Sequence, residues 1–453
     1  MRENKNKNTR KRIKKRIKKQ KTRKSKGGEA IAAGGYGCVF KPALKCAENE
    51  KNNKNEEMVS KLLLRENAYD EMEEIEKVLS YLKKNPRNSN YFIINDQVSL
   101  CTPAPLTSAD LQNYDAMCAS TKMLTQGITS ANINQNLDKL NIITMLDGGK
   151  ELEDYWTRLA LNPQIKTGDK IALFRNINKT LLDLLNNGIV PLNKDGLFHF
   201  DIKGANILLG KDGHTRLIDW GASFEITFTF KKSNAIIKSN TIKSNAIKIP
   251  QKVYNRAIFQ YNVPLSVILF MEDLSPFLQK SAKKLPSLNQ KEIAAELAKE
   301  IIMYSIKEAG IGHFQDIIEK MVIIYGTVLA GDGAEFTIDD AIRMIQNYIS
   351  TILLKYLDFS TFTFDLFKFF TEVFIHNVDV YGFIISYIDL VIPRLATAKQ
   401  TSNFIKKMYM KEGKEYIEFM RNLAFIFHDF CWSTQYAATR IPLSRLTARL
   451  RNL

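Results

Sequence analysis

Long apolar runs are scarce in this 453-residue sequence, and none is expected to reach the roughly 18 residues that a membrane crossing needs. The best candidate, YGFIISYIDLVIP at 381–393, is short and interrupted by Asp389. The start has charge but no apolar core behind it, so it does not read as a signal peptide. Cysteine is scarce: Cys38, Cys46, Cys101, Cys118 and Cys431 are odd in number, scattered and form no C-x-x-C pair. Neither a disulfide framework nor a zinc site is expected from them, and a reducing compartment is the default. Together these absences predict a soluble intracellular protein with no transmembrane segment.

Acid is nearly missing from the first 28 residues, which hold fifteen Lys or Arg against Glu3 alone. That segment carries +14 of the net charge of +17, leaving +3 for the body, so basicity describes a tail and not the folded part. KRIKKRIKKQKTRKSKGG repels itself and has little to bury, so 1–28 is expected to be disordered. Such tails contact nucleic acid, acidic protein or anionic lipid, or act as import signals. Ile13 and Ile17 are too few apolar residues for a membrane-lying helix.

What remains has 45% apolar and 25% charged residues, enough to bury a sizeable core. EAIAAGGYGCVFKP reads as strand, glycine turn, strand; ENEKNNKNEE (48–57) as a polar loop; MVSKLLL (58–64) as a buried strand. A helix follows in NAYDEMEEIEKVLSYLKK, with Ile75, Val78, Leu79 and Leu82 on one face, and Pro86 ends it. YFII (91–94) and NIITML (141–146) are short strand candidates, and 170–186 is helical through Ile171, Phe174, Ile177 and Leu181. The repeat KSNAIIK, KSNTIK, KSNAIK (231–248) reads as an expanded, flexible surface loop in preference to a set of self-modification sites at Ser233, Ser239 and Ser244. From about 265 to 375 the pattern is helical, with a capping signal at Thr337 and Asp340, and GDGAE (331–335) reads as a turn because it has too few oxygen donors for a calcium loop.

Chemistry concentrates in HFDIKGANILLGKDGHTRLIDWG (199–221). Asp201 is a carboxylate able to accept a hydroxyl proton, and Lys203 can neutralise a transferring phosphoryl group. Asn206 and Asp219 offer hard oxygen ligands suited to magnesium. H-x-D-x-K-x-x-N followed by D-x-G resembles the catalytic and metal-binding loops of protein kinases. IAAGGYGCVF (31–40) is similar to the phosphate-covering loop of that family, with Ala32 replacing its first glycine.

The resemblance implies an α+β, bilobal fold: a small antiparallel-sheet lobe with one helix (29–146) and a larger helical lobe. It implies ATP and Mg²⁺, with Ala32, Gly34, Gly35, Gly37, Val39 and Met145 near the nucleotide, Asp201 and Lys203 catalytic, and Asn206 and Asp219 on the metal. The phosphate-anchoring lysine is Lys61 and not Lys45, because only six residues separate Lys45 from Val39, too few for a strand to end and the next to return. Its partner is Glu71 or Glu74, with Glu71 preferred since Ile75 and Val78 then follow at helical spacing. His199 reads as a packing residue and not as an acid or base.

In the larger lobe the resemblance places the catalytic loop and activation segment in 147–264, a helical insertion at 265–375, and the remainder at 376–453. NVPLSVILF (262–270) stands where the segment would end with A-P-E, and VDVYGFIISYIDLV (378–391) carries Asp379 as the acid that holds the catalytic loop's backbone. GGYGCVFKPALKC, FQYNVPLSVILF and the basic tail are similar to serine/threonine kinases of nucleocytoplasmic large DNA viruses. That likeness implies Ser/Thr protein substrates and a location in host cytoplasm or the virion. Phe200, where an arginine that meets an activation-loop phosphate is usual, implies activity without such control. The alternatives are a silent pseudokinase scaffold and a small-molecule kinase of related fold.

Overall fold

The computed structural model describes residues 28–34, 37–47, 57–94, 97–119, 121–226, 248–329, 335–393, 400, 403–405, 407 and 413–453. The tail up to 27, Gly35, the polar loop at 48–56, the repeat at 231–247 and positions 331–334 lie outside them. The chain divides into two compact units, 1–79 with 94–147, and 80–93 with 148–453.

The first unit is built on five antiparallel strands: β1 (Glu29–Ala33), β2 (Gly37–Lys41), β3 (Met58–Leu64), β4 (Ser99–Cys101) and β5 (Leu140–Leu146), in the order β1-β2-β3-β5-β4. MVSKLLL forms β3 because its β-branched and apolar residues suit a central strand paired on both sides. Alternation splits the sheet into two faces. Cys38, Phe40, Leu62 and Ile142 point into a core closed by Leu106, Tyr114, Met123 and Ile133. The other face carries Val39, Val59, Lys61 and Met145, all half-buried, in one cross-strand set. Helix α1 (Arg65–Lys84) follows β3 without a loop.

The cysteines correct the expectation from sequence. Cys38 is bonded to Cys118 and Cys46 to Cys101, with Cα atoms 5.5 and 5.8 Å apart. The partners lie 80 and 55 residues apart, so spacing along the chain gave no hint of pairs that only the folded sheet and its covering turns bring together. The cysteine argument for a reducing compartment falls with them. Cys431 is free and buried.

Residues 80–93 join the second unit because their polar groups are satisfied there. Asn85 donates to Asp195, Tyr91 to Asp183, and the Ile93 N–H to the Leu217 carbonyl. YFII is not the strand expected; a 3₁₀ turn over Pro86–Tyr91 consumes its start, leaving a single bridge between Phe92 and Leu217. Helices α2 (Leu152–Leu161) and α3 (Thr167–Asp183) lead to short strands. Of these, β6 (Lys150–Glu151), β8 (Ile207–Leu209) and β9 (Thr215–Leu217) form one sheet, and β7 (Leu197–Phe198) pairs with β10 (Phe224–Glu225).

The rest is mostly helical, with one small hairpin pairing Leu357–Asp358 with Thr363–Phe364: α4 (Gln251–Tyr254), α5 (Leu274–Ala282), α6 (Gln290–Glu308), α7 (Phe314–Ile323), α8 (Ile338–Tyr356), α9 (Ile375–Ile385), α10 (Lys414–Phe427) and α11 (Leu443–Arg451). Reciprocal capping boxes start α6 at Asn289 and Glu292, and α8 at Thr337 and Asp340. One described helical stretch, Leu366–Val391, is long and apolar enough to cross a membrane by length and composition, and its apolar 18-residue window is 94% buried inside the fold. An antiparallel sheet region followed by a larger, mostly helical region is the mixed α/β arrangement implied by the kinase resemblance.

Candidate active site

In the first unit, β-sheet register sets the arrangement. Val39 pairs with Lys61, Val59 with Met145, and Ala32 with Val39, so these side chains share the half-open face. Lys61 Nζ reaches both carboxylate oxygens of Glu71 on α1, at 2.9 and 2.8 Å, and Glu71 is buried. Glu74, one turn along, meets Lys77 instead. Lys45 lies outside the strands and is exposed.

The glycines differ in what requires them. A Cβ on Gly37 would come within 2.8 Å of the Leu62 carbonyl, so close strand packing alone demands glycine there. At Gly34 a Cβ would meet nothing within 4 Å, so packing leaves that position open to an approaching ligand. Gly35 is outside the described residues.

In the second unit, the β8–β9 hairpin brings the two proposed metal ligands side by side. Ile207 pairs with Leu217, and the Ile218 N–H donates to the Asn206 carbonyl, which places Asp219 next to Asn206. The Asn206 amide nitrogen donates to the Asp201 carbonyl and carboxylate, at 2.8 and 2.9 Å. With its nitrogen committed, Asn206 has its amide oxygen to offer a cation, and an Asn oxygen beside a carboxylate fits magnesium, which takes few protein oxygens and completes its shell from phosphates and water. Lys203 Nζ lies 3.0 Å from Asp201 Oδ2. A Cβ on Gly204 would come within 2.8 Å of Glu153 Cβ, so glycine after Lys203 lets the loop lie against α2.

The loop is held in a strained form. Phe200 and Asp219 are non-glycine residues at φ 61 and 66, each costing roughly 1–3 kcal/mol unless the surroundings hold them. Asp379 on α9 accepts from the His199 and Phe200 N–H groups at 2.9 and 2.8 Å, and Asn193, its amide turned to suit both neighbours, donates to Asp379 as well. Complete burial pushes the Asp379 carboxyl up, while these donors pull against that shift. α9 passes this close because of Gly382, where a Cβ would lie 2.5 Å from the Ile202 carbonyl. His199 is fully buried, with Nε2 2.9 Å from the Ile218 carbonyl and its ring 4.7 Å from Trp220. Trp220 also packs on Phe92.

Two residues at this site were not singled out from sequence. Arg256, just after α4, donates to the Phe200 carbonyl at 2.7 Å and to Asp201 Oδ1 at 2.9 Å, and its guanidinium lies 5.1 Å from the Phe200 ring centre. Asn262 donates to the same Oδ1 at 2.9 Å. Burial alone would raise the Asp201 carboxyl, but the charges of Arg256 and Lys203, with hydrogen bonds from Arg256 and Asn262, hold it well below the ordinary carboxylate range. The one available signal was an arginine in NRAIFQYNVPL, downstream of a loop that has phenylalanine in place of its own.

No known protein-family profile matches the chain. Curated relatives do, over short segments. A stretch of 95 residues, 21% of this chain, is 30% identical to serine/threonine-protein kinase ste20 of Aspergillus oryzae, covering 11% of that protein. A stretch of 50 residues, 11% of this chain, is 48% identical to human mitogen-activated protein kinase kinase kinase kinase 3, covering 6% of it. A probable serine/threonine-protein kinase of Dictyostelium discoideum is 29% identical over 116 residues, 24% of this chain and 18% of that protein. These matches support a place in the protein kinase superfamily. The kinase-like chain thus spans less than a fifth of the length of each of these relatives.

Proposed function

We propose that this protein is an ATP- and Mg²⁺-dependent kinase that phosphorylates Ser or Thr of protein substrates. The observation that carries the reading is the cluster of Asp201, Lys203 and Asn206, with Asp219 set beside Asn206 by the hairpin. The substrate hydroxyl oxygen forms a bond to the γ-phosphorus while the bond to the β-phosphate oxygen breaks, and ADP leaves. Asp201 orients the hydroxyl and takes its proton, and Lys203 moves from Asp201 to the transferring phosphoryl. Magnesium on Asn206 and Asp219 would neutralise phosphate charge. In the first unit Lys61, oriented by Glu71, binds the α- and β-phosphates, the open backbone at Gly34 approaches them, and Ala32, Val39 and Met145 offer apolar contact to the base.

Lys203 favours Ser/Thr over Tyr by family resemblance. Phe200 supports activity independent of activation-loop phosphorylation, since a buried aromatic ring cannot receive a phosphate. The likeness of GGYGCVFKPALKC and FQYNVPLSVILF to kinases of large DNA viruses supports a location in host cytoplasm or particle, with the basic tail contacting nucleic acid or acidic protein. The test is transfer of labelled γ-phosphate to generic basic and acidic proteins by the full chain, with Asp201→Asn as control. Equal signal from both proteins sinks the reading, and phosphatase treatment that silences the active enzyme sinks the independence from phosphorylation.

A further inference from the structure

We propose that Arg256 is a positioning residue: it fixes one oxygen of the Asp201 carboxylate, Oδ1, and the strained Phe200 peptide, so that Oδ2 is the oxygen that meets the substrate hydroxyl. This rests on the kinase reading for the role of Asp201, and on geometry for everything else.

Phe200 is a bulky residue at positive φ, and such a conformation persists only where both flanking peptide groups are held. Its N–H is held by Asp379 and its carbonyl by Arg256 Nη1. The other guanidinium nitrogen, Nη2, reaches Asp201 Oδ1, and the same group stacks over the Phe200 ring. One planar side chain thus fixes a carbonyl, a ring and a carboxylate oxygen on two consecutive residues, which a lysine's point charge does not reproduce.

The carboxylate is full. Oδ1 accepts from Arg256 and Asn262, and Oδ2 from Lys203 and Asn206, so its about four lone-pair sites each have a donor. A hydroxyl gains a place only when one donor leaves. Arg256 is tied at three points, whereas Lys203 is held among the described residues by one hydrogen bond, to Asp201, and has a phosphoryl oxygen to move to in the proposed reaction. The vacancy therefore opens on Oδ2. Other titratable or charged groups around Asp201 include Lys203, the His199 ring, which accepts from the Asp201 N–H, Asp379 through the shared backbone, Asp219 beside Asn206, and His313, which feels the charges of Lys203 and Arg256.

The full-length protein tests this through Arg256→Gln, Arg256→Ala and Arg256→Lys. Expected for Arg256→Gln is a fall in kcat on the order of tenfold to a hundredfold with KM for ATP within about twofold. Arg256→Lys should be intermediate, and methylguanidinium should partly restore Arg256→Ala. Amide exchange at 199–206 should quicken while α6 and α8 keep wild-type protection. Wild-type or higher kcat in Arg256→Gln would mean that Arg256 is an inhibitory latch, and a lowered kcat with exchange quickened in α6 and α8 as much as at 199–206 would mean a general loss of fold; either overturns the proposal. If the wild type transfers no phosphate, the kinase reading fails by itself. The exchange arm then still decides positioning, and unchanged protection at 199–206 overturns it.

Discussion

Asp379 and Phe200 stand 179 positions apart in the chain and meet in one hydrogen bond of 2.8 Å, from the Phe200 N–H to Asp379 Oδ1. The bond reaches across the whole 265–375 region, so those helices leave the chain positioned to return a carboxylate to the loop it left. Asp379→Ala removes the acceptor of two buried N–H groups and the restraint on a residue at positive φ. Stability should fall by about 2–5 kcal/mol, read as a drop in urea midpoint, since each orphaned buried group costs about 1–3 kcal/mol. Asp379→Asn, which keeps one acceptor, should lose less.

The ion pair of Lys61 and Glu71 separates two carboxylates that sequence could only rank. Glu71→Gln removes the carboxylate charge that orients the half-buried Lys61 ammonium, so affinity for a fluorescent ATP analogue should weaken about tenfold, near 1.4 kcal/mol. Glu74→Gln, which disturbs the pair with the half-exposed Lys77, should bind within about twofold of wild type. Equal weakening by both variants would refute the assignment of Glu71.

Much of this was legible because periodicity reports local structure. MVSKLLL, the 170–186 stripe and the Thr337–Asp340 cap became a strand, a helix and a helix start, for they depend on neighbours in sequence. Motif spacing likewise gathered Asp201, Lys203, Asn206 and Asp219 around one hairpin. What stayed hidden depends on contacts across long separations. Cys38 meets Cys118 only after the sheet forms, YFII lost its strand to a turn, and Arg256 reaches Asp201 from 55 residues away. Periodicity carries no signal for such pairs, and for Arg256 the sequence offered only an arginine downstream of a loop that has phenylalanine in place of its own.

The disulfides make a countable prediction. Denatured without reductant, the protein should show one reactive thiol, that of Cys431, and after reduction all five cysteines. Each bridge closes a loop of 55 to 80 residues, worth about 4 kcal/mol on the chain-entropy account. Cys118→Ala should lower the melting temperature of the oxidised protein and leave the reduced protein nearly unchanged. Five thiols without reductant would show that the bridges do not form.

The last prediction concerns acid. Asp201 titrates below its ordinary 3.8 because Arg256 and Lys203, with the hydrogen bonds, outweigh its burial. A carboxylate depressed by folding contributes stability that is fully present above its unfolded value and is lost as pH falls through the folded one. Asp201→Asn should therefore cost about 3 kcal/mol at neutral pH, because it leaves the half-buried Arg256 without its counter-charge. Measured by urea unfolding, the gap between wild type and Asp201→Asn should stay level from pH 7 to about 4 and narrow only below that. For the same reason the acid limb of wild-type turnover should come from a group other than Asp201. A gap that closes between about pH 7 and 5 would show that the two cations do not hold this carboxylate down.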